Sequence, residues 1–185
     1  MKTMRYACAL AAVLMLSTFA QSQQDKSKRP SPPGQAKVTF DDGKSITIDY
    51  SRPKTRDPKT GQPRKIFGGV VPYGQPWRTG ANEATTFVTE ADLNIKGTIV
   101  PKGSYTLYTL PEPDKWTLII SKATGQWGIP YPGESQDFTR IPMDLKKTSS
   151  PVDQFTITLD KTGPKAALLK LAWENTEASM PIEER

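Results

Sequence analysis

Histidine is absent from this 185-residue chain, and cysteine occurs once, as Cys8. Cys8 lies in an N-terminal stretch that we expect to be removed, so the mature chain would contain neither residue. A protein without them has no disulfide, no thiol nucleophile, no Cys/His zinc site and no Ser-His-Asp triad. Any metal would need oxygen ligands alone, and the sequence indicates no metal site, no cofactor and no catalytic residue.

The first twenty residues have the pattern of a secretory signal peptide. Lys2 and Arg5 precede an apolar run over residues 6–16, and small residues lead up to Ala20. A basic start, a short apolar run and a small-residue end are typical of a cleaved export signal. The run is also too short to span a bilayer comfortably. We therefore expect a signal peptide at residues 1–20, a periplasmic or extracellular protein, and no transmembrane segment after cleavage.

Positive charge exceeds negative charge only mildly. The formal net charge of the whole chain is +6, and loss of Lys2 and Arg5 with the signal peptide would lower it by two. An excess of this size favours solubility and weak contact with anions, and it does not indicate a dedicated nucleic-acid binder. The length that remains suits one domain with a buried core.

Most of the chain alternates apolar and polar residues with a period of two. Residues 21–36 are polar, proline-rich and aperiodic, which is typical of a flexible linker. Residues 38–50 predict a hairpin, and similar patterns predict about nine or ten short strands in all. Residues 166–173 could also form a helix, but their place after a Gly-Pro turn favours a strand. We predict one all-β domain over residues 37–182, an antiparallel β-sandwich that is jelly-roll-like or a flattened barrel, with a long Gly/Pro-rich loop.

Two segments interrupt the strand pattern. Residues 51–65, which we call the basic loop, contain six basic residues and one acidic residue. We interpret it as a solvated loop, although such a cluster could also contact a polyanion or an anionic membrane surface. No aromatic residue is interleaved in it to stack on bases. Residues 66–87, which we call the central segment, concentrate glycine, proline, aromatic and charged residues, and they are the best place to look for a site.

The central segment and its neighbouring loops predict a pocket for a small molecule or a glycan. Pockets combine apolar walls with a few placed polar groups, and tryptophan faces suit sugar rings and cations. The candidate ligand-binding residues are Arg52, Tyr73, Trp77, Arg78, Asn82, Glu83, Trp127 and Arg140. A structural alternative places Trp77 and Trp127 in the core, with Arg78 and Glu83 forming an ion pair that fastens the loop.

Two other functions stay open at this stage. A glycoside-processing enzyme would need two carboxylates at a fixed separation, one of them with a raised pKa. Glu83 is the only carboxylate of the central segment, so a second one would have to come from another loop. A structural module of the cell envelope could instead hold a partner through residues 52–65 or through an edge strand.

Six short motifs are spread over most of the chain. They are IDYSRP (48–53), IFGG (66–69), VPYG (71–74), WRTGANEAT (77–85), GSYTLY (103–108) and QWG (126–128). Together they resemble the bacterial secreted proteins of domain-of-unknown-function family 2911, over residues from about 31 to 182. The chain differs in its extended basic insert, where family members usually run almost directly from Ser-Arg-Pro to Ile-Phe-Gly. The resemblance implies an exported, mostly β domain and brings no activity, substrate or catalytic residue.

Overall fold

The computed structural model describes residues 25–185. The predicted signal peptide, residues 1–20, and the first four residues of the predicted linker lie outside the described residues. No helix in the described part of the chain is both long and apolar enough to cross a membrane.

The described residues form an all-β fold of nine strands. The strands are β1 (Pro33–Thr39), β2 (Ser45–Ser51), β3 (Thr85–Thr89), β4 (Leu93–Ile95), β5 (Thr98–Val100), β6 (Gly103–Pro111), β7 (Trp116–Ser121), β8 (Asp137–Gly163) and β9 (Ala166–Glu184). They make one antiparallel sheet in the order β1-β2-β3-β6-β7-β8-β9-β4-β5, which is not closed into a barrel. Two 3-10 turns, Lys26–Lys28 and Glu134–Gln136, are the helical elements of residues 25–185.

The period-two pattern produces these strands as predicted. In the first hairpin Val38 of β1 pairs with Ile46 of β2, and both side chains are buried. The turn between them contains Gly43, whose φ of 89° lies in the left-handed region that glycine tolerates. Residues 166–173 are part of β9, so the strand prediction there is confirmed.

The sheet curls so that strands distant in its order face each other across the core. The Tyr50 hydroxyl of β2 accepts a hydrogen bond from the backbone N–H of Ile157 in β8 at 2.9 Å, although β2 and β8 are not neighbours in the sheet. The Tyr50 ring also lies edge-on to Phe155, with ring centroids 5.7 Å apart. This packing is sandwich-like and confirms the predicted fold class, while the open sheet order sets aside the flattened barrel.

Two details of the predicted organisation are corrected. Strand β1 begins at Pro33, inside the segment that was predicted to be a linker up to residue 36. The physical reason is that Pro33 and its neighbours pair in register with β2 up to Ser51 despite their polarity. The final strands are also longer than predicted, because β8 pairs first with β7 and then, from Asp144 onward, with β9.

Candidate functional site

A cleft of about 480 Å³ lies between the basic loop and the central segment. Both loops are attached to the sheet, because Lys54 forms a β-bridge with Gln154 of β8 and Trp77 forms one with Thr109 of β6. We call this opening the cationic cleft. Its lining residues are Pro30, Ser31, Pro53, Lys54, Arg56, Asp57, Pro58, Arg64, Val70, Val71, Trp77, Arg78, Gly80, Ala81, Ile129 and Trp173.

Aromatic rings form the floor of the cationic cleft. Trp77 stacks on Trp173 with ring centroids 5.8 Å apart and planes inclined by 20°. It also meets Phe155 edge-on at 4.9 Å and Phe67 at 6.4 Å. Each such aromatic pair adds about 1 kcal/mol beyond the area it buries. Trp77 is therefore both a wall of the cleft and a partly buried extension of the core.

Four cationic side chains line the cleft. Lys54, Arg56 and Arg64 come from the basic loop, and Arg78 comes from the central segment. Asp57 is the single acidic residue of the lining, so four cations and one acid leave a net charge of +3. Like charges gathered in a concave site with low-dielectric walls focus the electric field. The cleft therefore presents a positive potential to solvent.

The carboxylate of Asp57 is occupied within the basic loop. It accepts hydrogen bonds of 2.9 Å from the backbone N–H groups of Thr60 and Lys59. These two bonds, aided by the charge of Arg64, lower the pKa of Asp57. Residues 25–185 hold no group of three or more His, Cys, Asp or Glu side chains that could bind a metal ion.

Two buried hydrogen-bond donors of the lining have no partner among the described residues. They are Nε of Arg64 and Nε1 of Trp173. Trp173 is only 1% exposed, while another nitrogen of Arg64, Nη2, donates to the carbonyl of Lys54 at 2.5 Å. Leaving a buried donor unpaired costs about 1–3 kcal/mol. Both donors are buried beneath the lining of the cleft.

Arg78 is held at the edge of the cleft by Trp127. Its Nη1 donates to the Trp127 carbonyl at 3.3 Å, and its guanidinium carbon lies 5.6 Å from the centroid of the Trp127 ring. Partial burial lowers the pKa of Arg78 from its ordinary value. Gly128 permits this approach, since a Cβ there would lie 3.0 Å from Cβ of Arg78 and 2.8 Å from that of Ala84.

Glu83 pairs with the N-terminal segment and not with Arg78. Nη1 of Arg29 donates to both carboxylate oxygens, at 3.0 and 2.8 Å, and Nζ of Lys26 lies 3.2 Å from one of them. Burial alone would raise the pKa of Glu83, but the hydrogen bonds from Arg29 and Lys26 hold it at about 2. The structural alternative that pairs Arg78 with Glu83 is therefore wrong in this respect. Arg29 lies within hydrogen-bond distance of the Glu83 carboxylate, whereas the Arg78 guanidinium donates to the Trp127 carbonyl.

Asn82 and Glu83 together hold residues 25–32 against the sheet. Nδ2 of Asn82 donates to the carbonyl of Ser31 at 3.0 Å and to the hydroxyl of Ser51 at 3.2 Å. Glu83 also lines a separate pocket of about 290 Å³. These two side chains hold the N-terminal segment in place through hydrogen bonds, and they lie outside the lining of the cationic cleft.

The remaining candidates make contacts elsewhere. Arg52 donates to the carbonyl of Phe155 and to the hydroxyl of Thr156, at 3.3 and 3.1 Å. Arg140 bonds Asp137 at 2.7 Å, and Tyr73 is 40% exposed in a turn.

The prediction that all eight candidates share one pocket is therefore corrected. Trp77 and Arg78 line the cationic cleft, and Trp127 borders it through Arg78. The other five, Arg52, Tyr73, Asn82, Glu83 and Arg140, are not part of its lining.

The basic loop contributes three residues to the cleft that are not among the eight candidates. Lys54 and Arg56 are exposed, as the interpretation of a solvated loop predicts, and together with the half-buried Arg64 they also line the cleft. The charge run directly before an aromatic segment was the available clue. Trp173 is a buried residue of β9, and nothing in the sequence indicates that it also lines the cleft.

Comparison with known proteins gives one match. The family model described as "Protein of unknown function (DUF2911)" matches residues 31–182. No curated protein and no solved structure matches the chain.

Proposed function

The chain belongs to the DUF2911 family of proteins of unknown function, and we propose that it is a non-catalytic binding protein for a small anionic molecule. The ligand would carry a phosphate, sulfate or carboxylate group on an apolar or sugar ring. The observation that supports this proposal is the lining of the cationic cleft, in which four cationic side chains surround an aromatic floor.

The cations and the aromatic floor of the cleft would contact different portions of the ligand. The guanidinium groups of Arg56 and Arg64 match the oxygens of a phosphate or carboxylate, since their planar N–H groups can bond two oxygens at once. The ring of Trp77, which is stacked on Trp173, contacts the apolar part of the ligand. A volume of about 480 Å³ falls within the range of small-molecule pockets.

Binding without catalysis fits the state of Glu83. A glycosidase acid needs a raised pKa so that it is protonated when substrate binds. Arg29 and Lys26 instead hold the pKa of Glu83 at about 2, against the effect of burial. Glu83 is thus ionised at neutral pH and occupied by two cations, which suits a structural role.

Export is part of the proposal and is supported by the N-terminal sequence pattern. A basic start followed by an apolar run over residues 6–16 favours passage through a secretion machinery. Sequencing the N-terminus of the protein recovered from the periplasm or the medium is expected to begin at Gln21. A chain that keeps Met1 and stays in the cytoplasm would contradict this part of the proposal.

Isothermal titration calorimetry with two matched pairs of compounds tests the proposed ligand class. Glucuronate and glucose share a sugar ring, and phenyl phosphate and phenol share an aromatic ring. Because one charge-assisted hydrogen bond contributes about 1.5–3 kcal/mol, the charged member of each pair should bind at least about tenfold more tightly. Equal affinities within both pairs, or no binding of either charged compound at millimolar concentration, would refute the proposal.

Matched variants locate the binding site. Arg56→Gln and Arg64→Gln should each weaken binding of the charged compounds by about tenfold, because each removes a charged donor. Lys165→Gln is the control, since Lys165 is exposed in the turn between β8 and β9, about 25 Å along β9 from Trp173. If the control weakens binding as much as the cleft variants, the anions bind without a defined site.

A further inference from the structure

Three large apolar side chains are exposed at the rim of the cationic cleft. Ile129 is 66% exposed, Trp127 is 52% exposed and Val70 is 48% exposed. Val70 and Ile129 line the cleft, and the Trp127 ring contacts Arg78 of its wall. Half of the six large apolar side chains that are exposed within residues 25–185 thus border one opening. Single exposed apolar residues are ordinary, but a group of them marks an interaction surface.

Cations surround this apolar rim. The lining of the cleft has a net charge of +3, from four cations and one acid. Lys59 and Lys65 are exposed on the same basic loop. The rim therefore combines apolar anchors with positive charge on one side of the molecule. Since Lys54 and Trp77 are bridged to strands of the sheet, the two loops are presented on a fixed scaffold.

We propose that this rim docks the protein on an anionic phospholipid surface. Val70, Trp127 and Ile129 enter the headgroup region, and the cations of the basic loop bind the lipid phosphates. The inference rests on the cationic cleft of the proposed function, and it goes beyond that function by giving the cleft a membrane-facing position.

The residue types favour a membrane over other occupants. Tryptophan is enriched at membrane interfaces, where its ring sits at the level of the headgroups. Apolar burial and attraction to anionic lipid act together in peripheral binding. Lysine is depleted in protein–protein interfaces, yet the basic loop contains Lys54, Lys59 and Lys65. A second copy of the chain would bring two surfaces of like charge together, which is unfavourable.

Sedimentation with vesicles tests the docking directly. The full chain is mixed with vesicles of phosphatidylcholine alone, or of phosphatidylcholine and phosphatidylglycerol in a ratio of about 70:30. The second kind has a negative surface of the type that clusters of lysine and arginine recognise. We expect binding to the anionic vesicles that weakens as salt is raised, and little binding to the neutral ones. Equal binding to both vesicles would overturn the inference.

Two sets of variants separate apolar anchoring from charge. Trp127→Ser and Ile129→Ser should each lower the fraction bound to anionic vesicles, while Ile99→Ser, an exposed apolar residue of the edge strand β5, should not. Arg56→Gln should weaken binding about fivefold, the effect of one cation near an anionic surface, and Lys165→Gln should not. All variants share the apolar N-terminal run, so differences between them report on the rim.

The outcomes distinguish this inference from the proposed function. If Trp127→Ser and Ile129→Ser bind anionic vesicles as the original chain does, the inference is overturned. If soluble glucuronate or phenyl phosphate binds in the cleft and anionic vesicles do not bind at all, the docking inference alone fails. If anionic vesicles bind through the rim and no soluble anion does, the proposed function alone fails.

Discussion

Replacing Glu83 by Gln should loosen the N-terminal segment and destabilise the fold by about 1 kcal/mol. The carboxylate bonds Arg29 through both oxygens and lies 3.2 Å from Lys26. A lowering of the pKa from its ordinary value of 4.5 to about 2 would correspond to about 3 kcal/mol if nothing screened it. Because the Glu83 side chain is 40% exposed, solvent screening reduces this contribution to about 1 kcal/mol.

The contribution of Glu83 depends on pH in a defined direction. Its pKa is lower in the folded state than in the unfolded chain, so the unfolded chain takes up the proton first. The stabilisation is therefore fully present above about pH 5 and is lost as the pH falls from 4.5 toward 2. The difference in unfolding free energy between the original chain and Glu83→Gln should shrink accordingly.

Urea denaturation of both proteins at pH 7, 5 and 3 measures this difference. Glu134→Gln is the control, because Glu134 also pairs with an arginine but its side chain is 79% exposed, and it should change stability little. Arg29→Gln should cause a similar loss to Glu83→Gln, and the double variant should add little further. A difference that is zero at pH 7, or that is the same at pH 7 and pH 3, would refute the reasoning.

Three other substitutions test the packing, each by urea denaturation. Trp173→Ala should cost about 3–5 kcal/mol because it empties the centre of the aromatic cluster, and a loss below about 1 kcal/mol would contradict that view. Gly69→Ala should cost about 1–3 kcal/mol of stability, since its Cβ would lie 2.3 Å from a backbone oxygen. Gly163→Ala is the control and should be neutral, because the nearest atom to its Cβ would lie 3.5 Å away. Equal losses of stability in the two variants would exclude a clash at Gly69. Lys44→Met should lower the stability, because it removes the 2.7 Å partner of the fully buried Glu184 side chain. An unchanged midpoint of denaturation would contradict this pairing.

The fold class could be predicted from sequence because local alternation is enough to define it. Val38 and Ile46 face the core in the hairpin that their spacing predicts. The start of β1 could not be predicted, because the residues from Pro33 are too polar to show the pattern and are held by pairing with β2.

The composition of the site could be predicted only in part because its members are far apart in sequence. Trp77 and Arg78 were found through their aromatic and charged neighbours. Arg64 and Trp173 line the same cleft although more than one hundred positions separate them. Arg29 pairs with Glu83 across 54 positions. Such contacts follow from the curl of the sheet and the docking of the loops, which no local pattern encodes.

A calorimetric titration with phenyl phosphate tests the central claim, that the cationic cleft binds an anion, most directly. The original chain is compared with the double variant Arg56→Gln/Arg64→Gln, which keeps the aromatic floor. Saturable binding to the original chain, weakened about a hundredfold or more in the double variant, is the predicted result, since two charged donors are lost. The same dissociation constant in both proteins would contradict the account.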